Sequence, residues 1–147
     1  MKKALALVLS MALAISLFAG SVGASAATVE PREYNFVFIV KSMQFSFMLS
    51  MIEGAQAAAA LVPNINIKCI GPETPYSVEE QIQLVEQAIT TGADAVIITP
   101  ADSTGIIPAV EKCNAAGIPI ATPNTKAYGG DVLCWVGVDN YQVGYQL

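Results

Sequence analysis

The stretch from Ser77 to Pro100 reads SVEEQIQLVEQAITTGADAVIITP and contains a helix, a stop signal and a strand. Ser77 followed three residues later by Glu80 is a capping box, in which each side chain takes a backbone N–H that the first helical turn leaves unpaired. Val78, Ile82, Val85 and Ile89 recur at helical spacing and form a buried stripe. Gly92 sits where a helix closes in the left-handed conformation. Ala93 to Thr99 (ADAVIIT) is a short apolar run rich in β-branched residues, bounded by Pro100, and reads as a buried strand.

The same alternation continues on both sides. Upstream, Tyr34 to Val40 (YNFVFIV) reads as a strand. A helix follows from Ser46 or Phe47 to Leu61, with Met48, Met51, Ala55, Ala58 and Ala59 on one face and Gly54 read as a point of close approach to a neighbour. Ile65 to Ile70 is a second strand, and Gly71 to Tyr76 a loop. Downstream, Asp102 or Ser103 is expected to cap a helix running to Ala116, with Ile106, Ile107, Val110 and Cys113 inward and Gly117 as its stop. Ile118 to Thr122 and Val132 to Val138 read as further strands, and Asp139 or Asn140 as the cap of a last helix. Strands alternating with helices predict an α/β fold, a doubly wound parallel sheet with helices on both faces.

Composition narrows the function. The chain has 147 residues, a net charge of −5 and no histidine. So acidic a chain is a poor partner for nucleic acid, because it lacks the cations that neutralise phosphates. Without histidine the Ser–His–Asp and Cys–His mechanisms and the commonest metal ligand are absent. At 54% hydrophobic and 13% charged residues, the chain has ample apolar surface for a core.

Residues 1–26 read as a secretory signal peptide: Met1-Lys2-Lys3, an uncharged apolar run from Ala4 to Ala19, and an Ala24-Ser25-Ala26 cleavage site. Cleavage is placed after Ala26, with Ala24 as the alternative. An uncleaved anchor is disfavoured, since Gly20, Ser21, Gly23 and Ser25 interrupt the run before it reaches the roughly 20 residues a span needs. Location in the periplasm or outside the cell is therefore expected. The three cysteines, Cys69, Cys113 and Cys134, match no zinc spacing and are read as buried thiols rather than a bridge.

Doubly wound sheets bind ligands at the carboxyl ends of their strands, near the point where strand order reverses. Those ends are Lys41–Met48, Gly71–Tyr76, Pro100–Thr104, Pro123–Gly130 and Asp139–Asn140. They carry no phosphate-binding glycine loop. Gln44, Phe45, Phe47, Met48, Asp102, Asn124 and Thr125 are the candidate ligand contacts, supplying aromatic faces with carboxamide, hydroxyl and carboxylate groups. That mixture suits a neutral polyhydroxylated ligand and not catalysis, for which there is no activated nucleophile and no paired carboxylates. Each residue also has a structural reading: Phe47 and Met48 as core, Asp102 as a cap, Asn124 as a turn residue and Lys126 as a solvated charge.

The run FVFIVKSMQFSFMLSMIEGAQAAA (36–59) resembles the opening of the periplasmic sugar-binding proteins of ABC transporters. These have the type I fold shared by ribose- and galactose-binding proteins and the ligand domain of LacI-type repressors. Three further stretches match in order: Thr91–Pro100 with Ala101-Asp102-Ser103, Ala116–Ile120, and Val136–Asn140. The resemblance implies sugar contacts after the first strand, where Phe47 keeps the stacking aromatic while Phe45 and Met48 replace the usual polar and second aromatic residues. After the fourth strand, Asn124-Thr125 stands where ribose-like members carry Asp-Arg. The resemblance also implies two lobes closing on the ligand, docking on a membrane permease, action as a monomer, and no cofactor. On that basis residues 27–147 are expected to be a truncated N-terminal lobe whose second lobe is absent. A sensory protein of the same fold, presenting its ligand to a membrane receptor or kinase, is the alternative.

Overall fold

A computed structural model describes residues 32–146. The expected leader, residues 1–26, lies outside them. The elements run β1 (Tyr34–Ile39), α1 (Ser46–Ala60), β2 (Ile65–Ile70), α2 (Val78–Thr90), β3 (Ala95–Ile98), α3 (Ile107–Ala115), β4 (Ile120–Pro123), β5 (Cys134–Val136) and α4 (Asn140–Gln146). The five strands form one sheet in the order β2-β1-β3-β4-β5, every neighbouring pair parallel. The chain winds outward from β1 to β2, then returns past β1 to β3, so the order reverses between β1 and β3. This is the expected doubly wound α/β sheet.

Side-chain alternation along the strands divides the core in two. Val37, Ile39, Val96, Ile98 and Ile120 face α2 and α3, meeting Val85, Ala88, Ala109, Val110 and Cys113. Phe38 and Val40 face the other way, onto Met48 and Ile52 of α1. At the amino ends, Asp94 accepts from Arg32 Nη2 (2.5 Å) and from the Asn35 N–H (2.8 Å), tying the entry of β1 to that of β3.

Several helical expectations change in detail. Ser77 Oγ accepts from the Glu80 N–H (3.2 Å), as a cap should, but Glu80 returns its carboxylate to the Thr74 N–H (3.1 Å) instead of to Ser77. Ser77 N–H is already donated to the Thr74 carbonyl, which closes the turn before the helix. The buried positions of α2 are Gln81, Val85 and Ala88, with Val78, Ile82 and Ile89 only half-buried, so the inward stripe is rotated from the apolar one. Gly92 stops α2 with φ +76°, as expected. In α1, Ala58 is exposed and a Cβ on Gly54 would meet nothing within 4 Å, so Gly54 is not a contact glycine.

The third helix begins later than its cap residue. Asp102 Oδ1 accepts from the N–H groups of Thr104 (2.9 Å) and Gly105 (2.6 Å) and so closes a turn. Regular helix starts only at Ile107, because Pro108 has no N–H to give the Thr104 carbonyl, which is taken by Ile107 instead (3.1 Å). The connection from β4 to β5 carries no helix. Residues 124–133 cross as a loop held to α3 by Asn114, which donates to the Asp131 carbonyl and accepts from its N–H, both 2.8 Å.

The cysteine expectation is corrected. All three thiols are free, but only Cys113 is buried; Cys69 is half-buried and Cys134, on the edge strand β5, is exposed. Burial pushes the Cys113 thiol up to about 11 and also raises that of Cys69. The thiolate is the reactive form, so at pH 8 a thiol-disulfide reagent should modify Cys134 first, Cys69 more slowly, and Cys113 only after denaturant is added. Mass-resolved labelling in which Cys113 reacted along with Cys134 in the native chain would contradict this packing.

Candidate functional site

All strands being parallel, their carboxyl ends lie along one edge of the sheet, and the reversal between β1 and β3 leaves a gap in the connecting loops there. Beneath that gap lies a buried polar clamp. Gln81, fully buried on α2, donates from Nε2 to the Thr99 carbonyl (2.9 Å) and the Val40 carbonyl (3.4 Å), and accepts at Oε1 from the Ala101 N–H (2.8 Å). One side chain therefore stitches the end of β1 to the end of β3. Thr99, also fully buried, accepts the Lys41 N–H at its hydroxyl (3.0 Å). Sequence reading missed Gln81 because a glutamine within an amphipathic helix looks like a solvated residue. Its only signal is its place on the inward face, four residues before Val85.

Above the clamp, Lys41 leaves β1 and reaches across β3 to β4. Its Nζ donates to Thr125 Oγ1 at 3.0 Å. Strands lie about 4.8 Å apart, so two intervals are within reach of an extended lysine side chain. The Lys41 carbonyl accepts from the Tyr76 N–H (2.8 Å), which ties in the loop after β2 as well. Lys41 was not among the expected contacts, although it opens the first strand-end loop.

The expected residues fall into three groups. Gln44 and Phe45 belong to the turn that carries β1 into α1, where Ser42 Oγ accepts the Gln44 N–H (3.2 Å), and Phe47 is the second residue of α1. Phe45 and Phe47 are 53% and 52% exposed, with Met43 beside them in sequence at 41%, so the turn presents apolar surface. Asn124 and Thr125 turn the chain sharply after β4. Asn124 has φ +63°, donates its N–H to the Val136 carbonyl (2.8 Å), and accepts from Trp135 Nε1 at its own carbonyl (3.3 Å). Asp102 stands on the loop after β3. Its carboxyl is held below the usual range by the Gly105 and Thr104 N–H groups, and the neighbouring Ser103 carbonyl accepts the Tyr128 N–H (2.9 Å), linking this loop to that of Thr125.

Met48 does not join them. It is 1% exposed, packs with Phe38, Val40 and Ile52, and places its sulfur 3.8 Å from Thr99 Oγ1. Its side chain is core, because position 48 lies on the face of α1 turned to the sheet. A concavity of about 680 Å³ lies elsewhere, beside α2, lined by Gly71, Pro72, Glu73, Glu80, Gln83, Leu84 and Gln87. It contains none of the expected contacts. The strand-end site is a shelf that carries hydrogen-bonding groups on the loops after β1, β3 and β4 and exposed aromatic rings where β1 leads into α1.

The order β2-β1-β3-β4-β5 is one of the common doubly wound arrangements, with its ligand site expected at the switch point. A family model described as a periplasmic binding protein domain matches residues 36–147, and the chain belongs to that family. It is 30% identical to a ribose import binding protein of Bacillus subtilis (strain 168), over 98% of this chain and 48% of that protein. Among solved structures, a periplasmic solute-binding protein from Actinobacillus succinogenes with bound D-allose matches with a TM-score of 0.71 and 30% identity, covering 78% of this chain and 42% of that one. A solute-binding protein from Agrobacterium vitis with bound D-fucose matches with a TM-score of 0.70 and 25% identity, covering 76% and 40%. The chain thus spans less than half the length of these relatives. Both the resemblance read from the sequence and the fold class agree with these matches.

Proposed function

We propose that this chain is one lobe of an exported two-lobed solute-binding protein that captures a monosaccharide and delivers it to the membrane permease of an ABC transporter. Residues 1–26 serve as its removable leader, and the protein works as a monomer in the periplasm or outside the cell. The observation that carries the reading is the Lys41–Thr125 bridge over the switch point, with the exposed rings of Phe45 and Phe47 following the same strand end. A sugar ring presents apolar C–H faces and a hydroxyl rim. Aromatic faces cover the first, while Gln44, Asp102, Asn124 and Thr125 bond the second. The sugars named for the relatives support the same class of ligand.

Calorimetry on the full-length protein with ribose, D-allose, D-fucose and other monosaccharides is the test, and absence of binding across the set would end the reading. Residues 27–147 alone should bind weakly, because one lobe offers only one wall of contacts. Phe47→Ala in the full-length protein should weaken binding by about 1–3 kcal/mol if the ring stacks on the ligand. Unchanged affinity would leave Phe47 without a part in the site.

A further inference from the structure

We infer that Trp135 is a positioning residue of the ligand site: its indole N–H holds the turn that carries Asn124 and Thr125, and so sets how tightly the sugar is bound. This rests on the reading of Asn124 and Thr125 as sugar contacts above. Trp135 lies on β5 and pairs with Thr122 of β4, so it stands level with the residue two before Asn124 on the neighbouring strand. Its side chain reaches toward the carboxyl end of the sheet, and Nε1 donates to the Asn124 carbonyl (3.3 Å).

The turn needs such a hold. Asn124 has φ +63°, in the left-handed region that strains an L-residue and that asparagine tolerates better than most. Across it, the Thr125 N–H closes back on the Pro123 carbonyl (2.8 Å), which makes a three-residue turn. The Asn124 N–H is taken by the Val136 carbonyl (2.8 Å). Strand β5 therefore grips Asn124 by both backbone groups: Val136 accepts from its N–H, and Trp135 donates to its carbonyl. With the indole bond released, the turn can relax toward negative φ, and the Asn124 carboxamide and the Thr125 hydroxyl shift with it.

The sequence makes room for this bond two residues further on. A Cβ added at Gly137 would overlap Trp135 Cζ2 and stand 2.7 Å from Cε2 and 3.0 Å from Nε1. The indole thus lies against backbone that only glycine leaves free, and any larger residue at 137 pushes the ring and its N–H off Asn124. A single hydrogen bond has a modest net worth, but the strain of one left-handed residue is of the same order, so losing the bond is enough to shift the turn. Hydrogen bonds to sugar hydroxyls are short and directional, so a shift of their partners is felt in affinity.

The test uses the full-length protein and the sugar of the calorimetry set that binds it most tightly. Trp135→Phe keeps an aromatic ring but removes the N–H, and should weaken binding about threefold to tenfold. Gly137→Ala keeps the indole but displaces it, and should weaken binding over the same range. Thermal melting establishes that each variant is folded. A double-mutant cycle separates positioning from a general loss of structure. Asn124→Gly deletes the carboxamide and removes the strain at φ +63°, so in that background Trp135→Phe should cost less than about twofold. In the unsubstituted protein the Trp135 indole N–H resonance should shift as the sugar saturates the site, a measurement that stands whether or not the variants fold. A folded Trp135→Phe protein that binds as tightly as the unsubstituted one overturns the inference and leaves the sugar-binding reading standing. A loss of the same size with and without the Asn124 carboxamide overturns it too, and makes Trp135 a packing residue of β5. So does an indole resonance that stays in place at saturation. No binding of any sugar in the set by the unsubstituted protein removes both readings together.

Discussion

Gln81→Leu should destabilise the folded chain by about 3 kcal/mol, read as a fall in the urea midpoint at unchanged slope. Leucine fills much of the volume but neither donates nor accepts. The Ala101 N–H then loses its acceptor and the Thr99 carbonyl its 2.9 Å donor, in a place where Gln81 and Thr99 are fully buried. Leaving a buried polar group unpaired costs about 1–3 kcal/mol, and the Val40 carbonyl loses its longer 3.4 Å bond as well. Against a typical total of about 5–15 kcal/mol the loss is large. Amide exchange should accelerate most at Ala101, whose N–H is bonded to the Gln81 side chain. Gln81→Glu separates loss of the donor from loss of volume. Its carboxylate can still accept from Ala101 but would face two carbonyl oxygens, so burial and repulsion raise its folded pKa above an unfolded value of about 4.3. The penalty is then full at neutral pH and fades as pH falls toward that value, where the acid is protonated in both states. A Gln81→Leu midpoint matching that of the unsubstituted chain would show that the clamp contributes nothing.

The same residue shows which parts of this fold can be read in sequence. Elements announced by local chemistry are legible: Ser77 caps α2 and Gly92 ends it at φ +76° because both obey rules set by neighbouring residues. Elements decided by a competing partner are not. Asp102 makes the bonds of a cap, from the Thr104 and Gly105 N–H groups to its side chain and from the Ile106 N–H to its carbonyl, but Pro108 cannot continue the ladder and regular helix waits until Ile107. Gly54 looked like a contact glycine only because a propensity penalty invites a reason, and open space around it supplies none. Gln81 is illegible because its value comes from carbonyls at the ends of β1 and β3, distant in sequence, that the sheet brings to it.

The site divides along the same line. The loops that form it follow from the strand order, and Phe45, Phe47, Gln44, Asp102, Asn124 and Thr125 all stand at these strand ends. Met48 lies only one residue after Phe47, yet that step of about 100° around α1 turns it from the open rim into the core. Lys41 was passed over for the opposite reason. A lysine at a strand end is usually a solvated charge, and only the two-strand crossing to Thr125 makes it part of the shelf.

Gly130→Ala should cost about 3 kcal/mol, although it adds a single methyl group. Gly130 has φ +74°, and an L-residue there costs about 1–2 kcal/mol. The added Cβ would also stand 2.5 Å from Val110 Cγ1 and 3.0 Å from Val110 Cβ. Val110 cannot yield easily: it is fully buried, β-branched and fixed in α3, so overpacking adds about 1–3 kcal/mol. Gly92→Ala is the internal control. Gly92 has φ +76°, but a methyl group added there would meet no atom within 4 Å, so only the backbone cost of about 1–2 kcal/mol applies. The difference between the two midpoints therefore measures the contact between the loop and α3. That contact matters beyond stability, because the loop that packs Gly130 on Val110 begins with Asn124 and Thr125. Displacing it pulls Thr125 away from Lys41, so Gly130→Ala should weaken ligand binding in the full-length protein where Gly92→Ala does not. Equal stability losses in the two variants would mean that the loop yields to the added methyl group without cost.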